Sequence, residues 1–293
     1  MIINMTNTLS SQEKDDIQSL ENRCNIVEGL KNRAYLSNEI NFNKELPCFY
    51  MAYDHGKLKA FLTAFVPTSE VAEIIAFTTP KERRKGYFKN LFLFAREILL
   101  EAGVKKVLFQ LEPDGTSALK AIDSFKPTIL ERSEYTMSCK QKSDNITNNE
   151  LKFKILEHGN KDIYIKLSNE VFEEHDDFEN LVNAILNSNV RTAYIAYYGT
   201  EPVGIFNLAY EEELAYCYGV GISKLYQGKG FGKQLMAFVL SEGLKHTKKI
   251  VLDVDSNNPT AYNLYLKCGF EVDFQVDYYL YDLKNELEMK DEQ

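Results

Sequence analysis

The stretch "LYQGKGFGKQLMAFVLSEGLK", residues 225–245, decides how this chain is read. Gly228, Gly230 and Gly232 alternate with larger residues, and Leu235, Phe238, Val239 and Leu240 then recur at helical spacing, so the loop opens a helix. Two common phosphate loops fail letter by letter. A P-loop needs glycine where Gln227 stands and Ser or Thr where Gln234 stands, and a dinucleotide fingerprint needs glycine at Lys233. What remains is Gln227-x-x-Gly230-x-Gly232 at a helix start. The first N–H groups of such a helix carry a partial positive charge and can receive a phosphate. The same letters also suit a strand-to-helix turn with no ligand.

Working outward, the chain repeats itself. "CFYMAY" from 48 matches "TAYIAY" from 192, and "RRKGYFKNLF" from 83 matches "QGKGFGKQLM" from 227, both at an offset of 144. "VKKVLFQL" from 104 set over "KKIVLDVD" from 248 at the same offset aligns Val107 with Val251 and Leu108 with Leu252. One offset over three blocks implies two homologous domains. The polar stretch "KQKSDNITNNE" separates them, so the expected division is 1–140, a linker at 141–150, and 151–293.

In the second half the pattern predicts strand "LKFKILE", helices "KDIYIKLSNEVF" and "FENLVNAIL", and a hairpin through "RTAYIAYYGTEPVGIFNLAY". Strand "LAYCYGVGI" leads to the glycine loop and its helix. Strand "KIVLDV", helix "PTAYNLYLKC" and a pair of closing strands through "FEVDFQVDYYLYDL" follow. The first half repeats most of this order. The expected class is α/β with α+β character, each domain a central mixed, mostly antiparallel sheet flanked by helices.

Composition narrows the function. The 293 residues, 44% of them hydrophobic, suffice for two packed domains. A net charge of −9 argues against a nucleic-acid partner, which needs a basic face. No run is long and apolar enough for a membrane span and the N-terminus lacks a signal-peptide layout, so a cytoplasmic location without membrane contact is expected. The five cysteines are scattered, and the histidines His55, His158, His175 and His246 stand singly, so no metal is expected.

After the strand at 249–254 comes a second motif, Asn258-x-x-Ala261-x-x-Leu264-Tyr265-x-x-x-Gly269-Phe270, with Ala261, Leu264 and Tyr265 on one helix face and Gly269 as its stop. The two motifs, in this order and spacing over about 190–285, resemble the acetyl-CoA-binding core of the GNAT superfamily of N-acyltransferases. The resemblance implies that the pyrophosphate of coenzyme A rests on the backbone of Gly228, Lys229, Gly230, Phe231, Gly232 and Lys233, with Gln227 and Lys229 adding side-chain contacts. It implies that the pantothenate arm pairs with the main chain of Val220 and Ile222, whose side chains also read as strand core. Asn258 matches the family's residue near the pantetheine arm and equally suits a cap for the helix beginning at Pro259.

Tyr265 is the expected acid for the departing thiolate, against the plainer role of a half-buried aromatic. An attacking amine must lose a proton, and Glu213 is the first candidate base, with Glu212, Tyr216 and Tyr218 competing. "EEE" at 211–213 is also an ordinary solvated turn. The oxyanion donor is expected among the backbone N–H groups of residues 219–221, where the strand must bend. Cys217 is read as structural, with acceptance of the acyl group as its alternative.

The first half departs from the motif. The offset gives Arg83-x-x-Gly86-x-Phe88, puts Asp114 at the Asn258 position, and Ala121 or Ile122 at the Tyr265 position. This implies a degenerate GNAT-like domain without catalysis, Arg83, Arg84 and Lys85 leaving open a second coenzyme A site held by charge. The tandem arrangement resembles that of mycothiol synthase. The whole implies an acyl-CoA-dependent N-acetyltransferase that moves acetyl from acetyl-CoA to a primary amine of a small molecule or peptide by direct attack. The competing class is a non-catalytic acyl-CoA-binding sensor or scaffold. Acceptor identity and oligomeric state are not readable from the sequence, which is compatible with a monomer.

Overall fold

The computed structural model describes residues 1–39, 41–125, 128–141, 150–172 and 178–284. Most of the expected linker at 141–150, and His175, lie outside the described residues. The chain divides into two compact units, one of residues 1–134 together with those from Phe274 onward, the other Tyr135–Asp273.

The first unit contains β1 (Ile2–Thr6), α1 (Ser11–Glu28), β2 (Phe49–Asp54), β3 (Lys57–Phe65), β4 (Val71–Thr78), α2 (Tyr87–Glu101), β5 (Lys106–Leu111) and α3 (Thr116–Ile122). α1 starts at a reciprocal cap in which Ser10 accepts from the Glu13 N–H and Glu13 accepts from the Ser10 N–H, and it stops at Gly29, whose φ is 72°. β1 to β4 pair antiparallel in sequence order and β4 pairs parallel with β5. Strand alternation sends Tyr50, Leu62, Ile74, Val107 and Phe109 to a core with α2, while Phe49 and Phe61 face α1 through Ile17 and Leu20.

The chain then runs through β6 (Ile129–Cys139), β7 (Leu151–Ile155), α4 (Lys161–Phe172), α5 (Phe178–Leu186), β8 (Arg191–Tyr198), β9 (Glu201–Tyr210), β10 (Leu214–Ile222), α6 (Phe231–Gly243), β11 (Lys249–Asp255), α7 (Pro259–Lys267) and β12 (Glu271–Asp282). In the second unit the strand order is β6-β11-β10-β9-β8-β7. α6 and α7 cover one face, against Phe206, Cys217, Ile250 and Leu252. Residues of α4 and α5, Tyr164, Leu167, Val182 and Ile185, cover the other with Ile195 and Ile205.

Two expectations are corrected. The closing segment is one strand, β12, and from Phe274 onward it belongs to the first unit, pairing antiparallel with β5 from Asp277 opposite Leu111 to Asp282 opposite Lys106. Tyr281 and Leu283 are buried in the first core, whereas Met137 and Cys139 at the end of β6 are buried in the second. Each unit is therefore completed by a strand from the far side of the sequence division. Apolar alternation reports that a strand is buried but not which strand lies beside it.

The third repeat block is also corrected. Val107 faces α2 whereas Ile250 and Leu252, not Val251, face α6, so the blocks correspond at an offset of 143. The parallel pairs agree, since Val71 opposite Lys106 answers Leu214 opposite Lys249. A shift of one residue turns every side chain of a strand to the other face.

Candidate active site

A second break in the repeat lies within β10, where the offset rises from 143 at Ile75 and Tyr218 to 144 at Phe77 and Gly221. In the first unit Thr63, Leu62 and Phe61 stand opposite Ile75, Ala76 and Phe77 without interruption. In the second, Asn207 stands opposite Tyr218 and Ile205 opposite Gly221, so Gly219 and Val220 together face the single residue Phe206. This is a β-bulge, which adds a residue and bends its strand. Gly219 has φ 58°, and a Cβ there would lie 2.4 Å from Asn207 Nδ2. A Cβ on Gly221 would lie 2.0 Å from Val171 Cγ1. The buried Asn207 braces the bend: its amide donates to the Tyr218 carbonyl (3.2 Å) and its Oδ1 accepts from the Tyr164 hydroxyl (2.8 Å).

The bend opens the sheet. β10 and β11 pair only over Leu214–Tyr216, opposite Lys249, Ile250 and Val251, and the following residues of β10 diverge from β11. Val220 and Ile222 lie on this diverging segment, their side chains packed against the α6 core. The expected bend at 219–221 is where the sheet parts.

β10 leads through Lys224–Tyr226 into the glycine loop. Gly228 and Gly230 have φ 73° and 82°, and a Cβ on either would meet nothing within 4 Å. Gly230 is the N-cap residue of α6 and no side chain caps the helix, so the first N–H groups, from Phe231 on, have no intrahelical acceptor. Gly232 has a packing duty as well, because a Cβ there would lie 3.0 Å from Leu264 Cδ2 of α7. The Gln227 side chain turns inward and donates to the Ile222 carbonyl (2.9 Å), bracing the loop on the end of β10. The Lys229 ammonium sits 4.8 Å from the centre of the Tyr226 ring, Phe231 is buried against Tyr198 and Tyr226, and Lys233 is exposed.

Tyr265 projects from α7 into the same face and is 6% exposed. Its ring packs on Phe270, and its hydroxyl has no hydrogen-bond partner among the described residues. Burial, with Cys217 and Cys268 nearby, holds this phenol well above its ordinary value, so it stays protonated. Burial raises the Cys217 thiol in the same way, which removes it as a nucleophile near neutral pH. Asn258 caps α7, its Oδ1 accepting from the Ala261 N–H at 3.0 Å.

Glu213 is not brought to this opening. It lies before the paired end of β10, 68% exposed, in an ion pair with Lys248 at 2.8 Å. Sequence reasoning passed over Asp253. On β11 it points away from the α6 face, accepts a hydrogen bond from the Thr136 hydroxyl (2.6 Å), and raises the neighbouring Tyr216 phenol, which burial raises most. The signal for it was the alternation "KIVLDV", a polar residue on the face opposite Ile250 and Leu252.

Residues 158–270 match the family described as Acetyltransferase (GNAT) family. That stretch, with the glycine loop and Tyr265 in it, is matched as a GNAT domain. Among solved structures, a GCN5-related N-acetyltransferase from Sphaerobacter thermophilus is 13% identical with a TM-score of 0.75, covering 98% of both chains. A tandem GNAT protein from the clavulanic acid biosynthesis pathway is 12% identical, TM-score 0.69, covering 97% of this chain and 100% of that one. A GNAT-family acetyltransferase from Colwellia psychrerythraea is 10% identical, TM-score 0.65, with 96% and 100% covered. At such identities the likeness is one of fold, and it extends over nearly the whole chain. No curated protein matches the sequence.

The GNAT features are altered in the first unit. β4 lacks the bulge, Arg84 holds the left-handed position of Gly228 with φ 65°, and Phe88 replaces Gly232. Phe88 stacks with Phe92 and meets Phe109 and Phe125 edge to face, filling the space between α2 and the sheet with rings. Arg83 keeps one trait of Gln227, its Nε donating to the Thr78 carbonyl (3.4 Å), but its charge is paired with Glu28 at 3.0 Å. With the offset at 143 beyond α2, Gly115, the N-cap of α3, and not Asp114, answers Asn258, and the buried Ile122 answers Tyr265.

The GNAT family is one of acyltransferases. Among the described residues no group of three or more His, Cys, Asp or Glu is arranged to hold a metal, and no helix is long and apolar enough to cross a membrane.

Proposed function

We propose that the second unit transfers an acetyl group from acetyl-CoA to a primary amine of a small molecule or peptide by direct attack, without a covalent enzyme intermediate. The observation that carries this reading is the bulge of β10, which parts the strand from β11 immediately before an uncapped helix start. The parted edge offers main-chain groups to the pantetheine amides at Val220 and Ile222. The helix start offers the N–H groups of the Gly228–Lys233 segment to the pyrophosphate. Gly228 and Gly230 leave the approach open, and Lys229 and Lys233 supply positive charge. Gln227 acts by holding the loop, and Asn258 caps α7 with its Oδ1, its amide N–H groups being assigned to the pantetheine arm.

The two faces of the opening divide the chemistry. The thioester lies in the gap, with its carbonyl oxygen at the backbone N–H groups of 219–221. Tyr265, on the α7 face, gives its proton to the departing thiolate, a role suited to a phenol that burial keeps protonated. The amine enters on the opposite face, beside Tyr216 and Asp253. We assign the proton-accepting role to Asp253 acting through water, in place of Glu213, whose carboxylate is engaged by Lys248.

Calorimetric titration of the full chain with acetyl-CoA tests the reading, with Gly230→Trp as the blocked form. One site, lost in the variant, supports it; no heat in the parent sinks it. An amine panel with product detection then separates a transferase from a module that only binds the cofactor.

A further inference from the structure

The first unit holds a cavity of about 160 Å³ that acyl transfer in the second does not use. It opens on the face of β3, β4 and β5 opposite α2, with Thr63, Glu73, Ile75 and Gln110 on its floor and Arg33, Tyr35 and Phe65 around it. By pairing position, Glu73 and Gln110 stand where the second unit has Tyr216 and Asp253, beside which the amine is proposed to enter. The cavity thus repeats the acceptor side of the fold, in the unit whose donor side is filled by Phe88 and its neighbouring rings.

Its floor is charged. Glu73, 16% exposed, accepts from the Gln110 amide through Oε2 and pairs through Oε1 with Arg132 at 3.2 Å. The same guanidinium pairs with Glu134 at 2.9 Å and lies 3.6 Å over the Tyr278 ring. Two carboxylates therefore share one cation, leaving a net negative charge beneath the cavity. A carboxylate has about four lone-pair sites, and these two bonds leave Glu73 able to accept more. Thr63 is buried and its hydroxyl has no partner among the described residues. Tyr35 and Phe65, which meet edge to face at 6.0 Å, also line the cavity, and an aromatic ring beside a carboxylate favours a cation. Arg33 stands at the rim, held by Glu21 at 2.8 Å, and does not neutralise the floor. Burial pushes the Glu73 carboxyl above its ordinary range, a penalty that a bound cation would relieve.

We propose that this cavity is a binding site for a small primary ammonium ion, seated on Glu73 and Thr63 beside the paired rings of Tyr35 and Phe65. The ligand is bound there without being acylated, because the donor side of this unit is closed. The site goes beyond transfer in the second unit: its likeness to the acceptor side rests on that reading, while its charged floor and its rings stand without it.

Benzylamine, cationic at neutral pH and small enough for the cavity, is the probe. It is titrated calorimetrically into the full chain without any acyl donor, and into Glu73→Gln and Tyr35→Ala, each first shown by circular dichroism to melt as a folded protein. Tyr35 is 39% exposed, so its truncation leaves the core intact. Expected are saturable binding by the parent, a loss of about tenfold or more in Glu73→Gln and a weakening of about threefold or more in Tyr35→Ala. Failure of the parent to bind benzylamine, or parental affinity in either folded variant, would overturn the proposal.

Discussion

In the proposed reaction Tyr265 concentrates the chemistry at a single side chain. Replacing it by Phe removes only the hydroxyl, and the ring keeps its contact with Phe270. The expected outcome is a fall in kcat of about a hundredfold with KM little changed, measured by steady-state kinetics on whichever amine proves active. Because burial raises this phenol above 10.0, its acid form persists to higher pH than a free tyrosine's. A kcat profile should show no loss from this group up to about pH 10; an alkaline limb near 8 that vanishes in Tyr265→Phe would contradict the assignment. Gly221 carries a second prediction. A methyl group there collides with Val171, and Gly221→Ala should destabilise the protein by about 1–3 kcal/mol in urea unfolding. The helix start at Gly230 and the cap at Asn258 were legible in the local sequence, and the role proposed for Tyr265 came with the family resemblance. Asp253, to which the base role is assigned in the proposal, was not legible, because a lone acidic residue in a strand has no motif, and Glu213 drew attention from an acidic turn in which its exposed carboxylate pairs with Lys248.

One residue of β10 separates the two units at the level of elements. The first unit keeps the regular ladder through Ile75, Ala76 and Phe77, and the second sets two residues against Phe206. Deleting Val220 should restore a one-to-one ladder. The variant is expected to fold, with far-UV circular dichroism like the parent's, and to bind acetyl-CoA at least about tenfold more weakly, the cost of roughly one or two lost backbone hydrogen bonds. Undiminished affinity by calorimetry would mean that the bulge does not present the pantetheine edge. The repeat was visible in the sequence as a constant offset, but the drift between 144 and 143 was not, since "KVLFQL" and "KIVLDV" are both apolar at both registers. Side-chain direction in the folded strands resolves it.

For the whole molecule, the exchange of strands makes neither sequence half self-sufficient. Ending the chain at Asp273 removes Val276, Tyr278, Tyr281 and Leu283, all buried. At about 2 kcal/mol for each side chain, the loss rivals a domain's whole stability of about 5–15 kcal/mol. It also uncovers the edge of β5. The truncated chain is expected to lose protease resistance throughout residues 1–134, read by limited proteolysis and mass spectrometry, and resistance equal to the full chain's would refute the dependence. The same logic says that a polypeptide beginning at residue 151 lacks Met137 and Cys139 of the second core.

The glycine loop, the helix it opens and the family resemblance were determined by the sequence because each depends on residues close together in the chain whose steric needs are local, and the duplication because the same short blocks recur at a fixed offset. Gly228 and Gly230 announce left-handed backbone wherever they stand. Tertiary structure alone decided which strand lies beside β5, which face Val107 and Ile250 take, and that Glu213 pairs with Lys248. Those outcomes rest on pairings between distant segments, and a periodic apolar pattern fits several partners equally until the close-packed core admits only one.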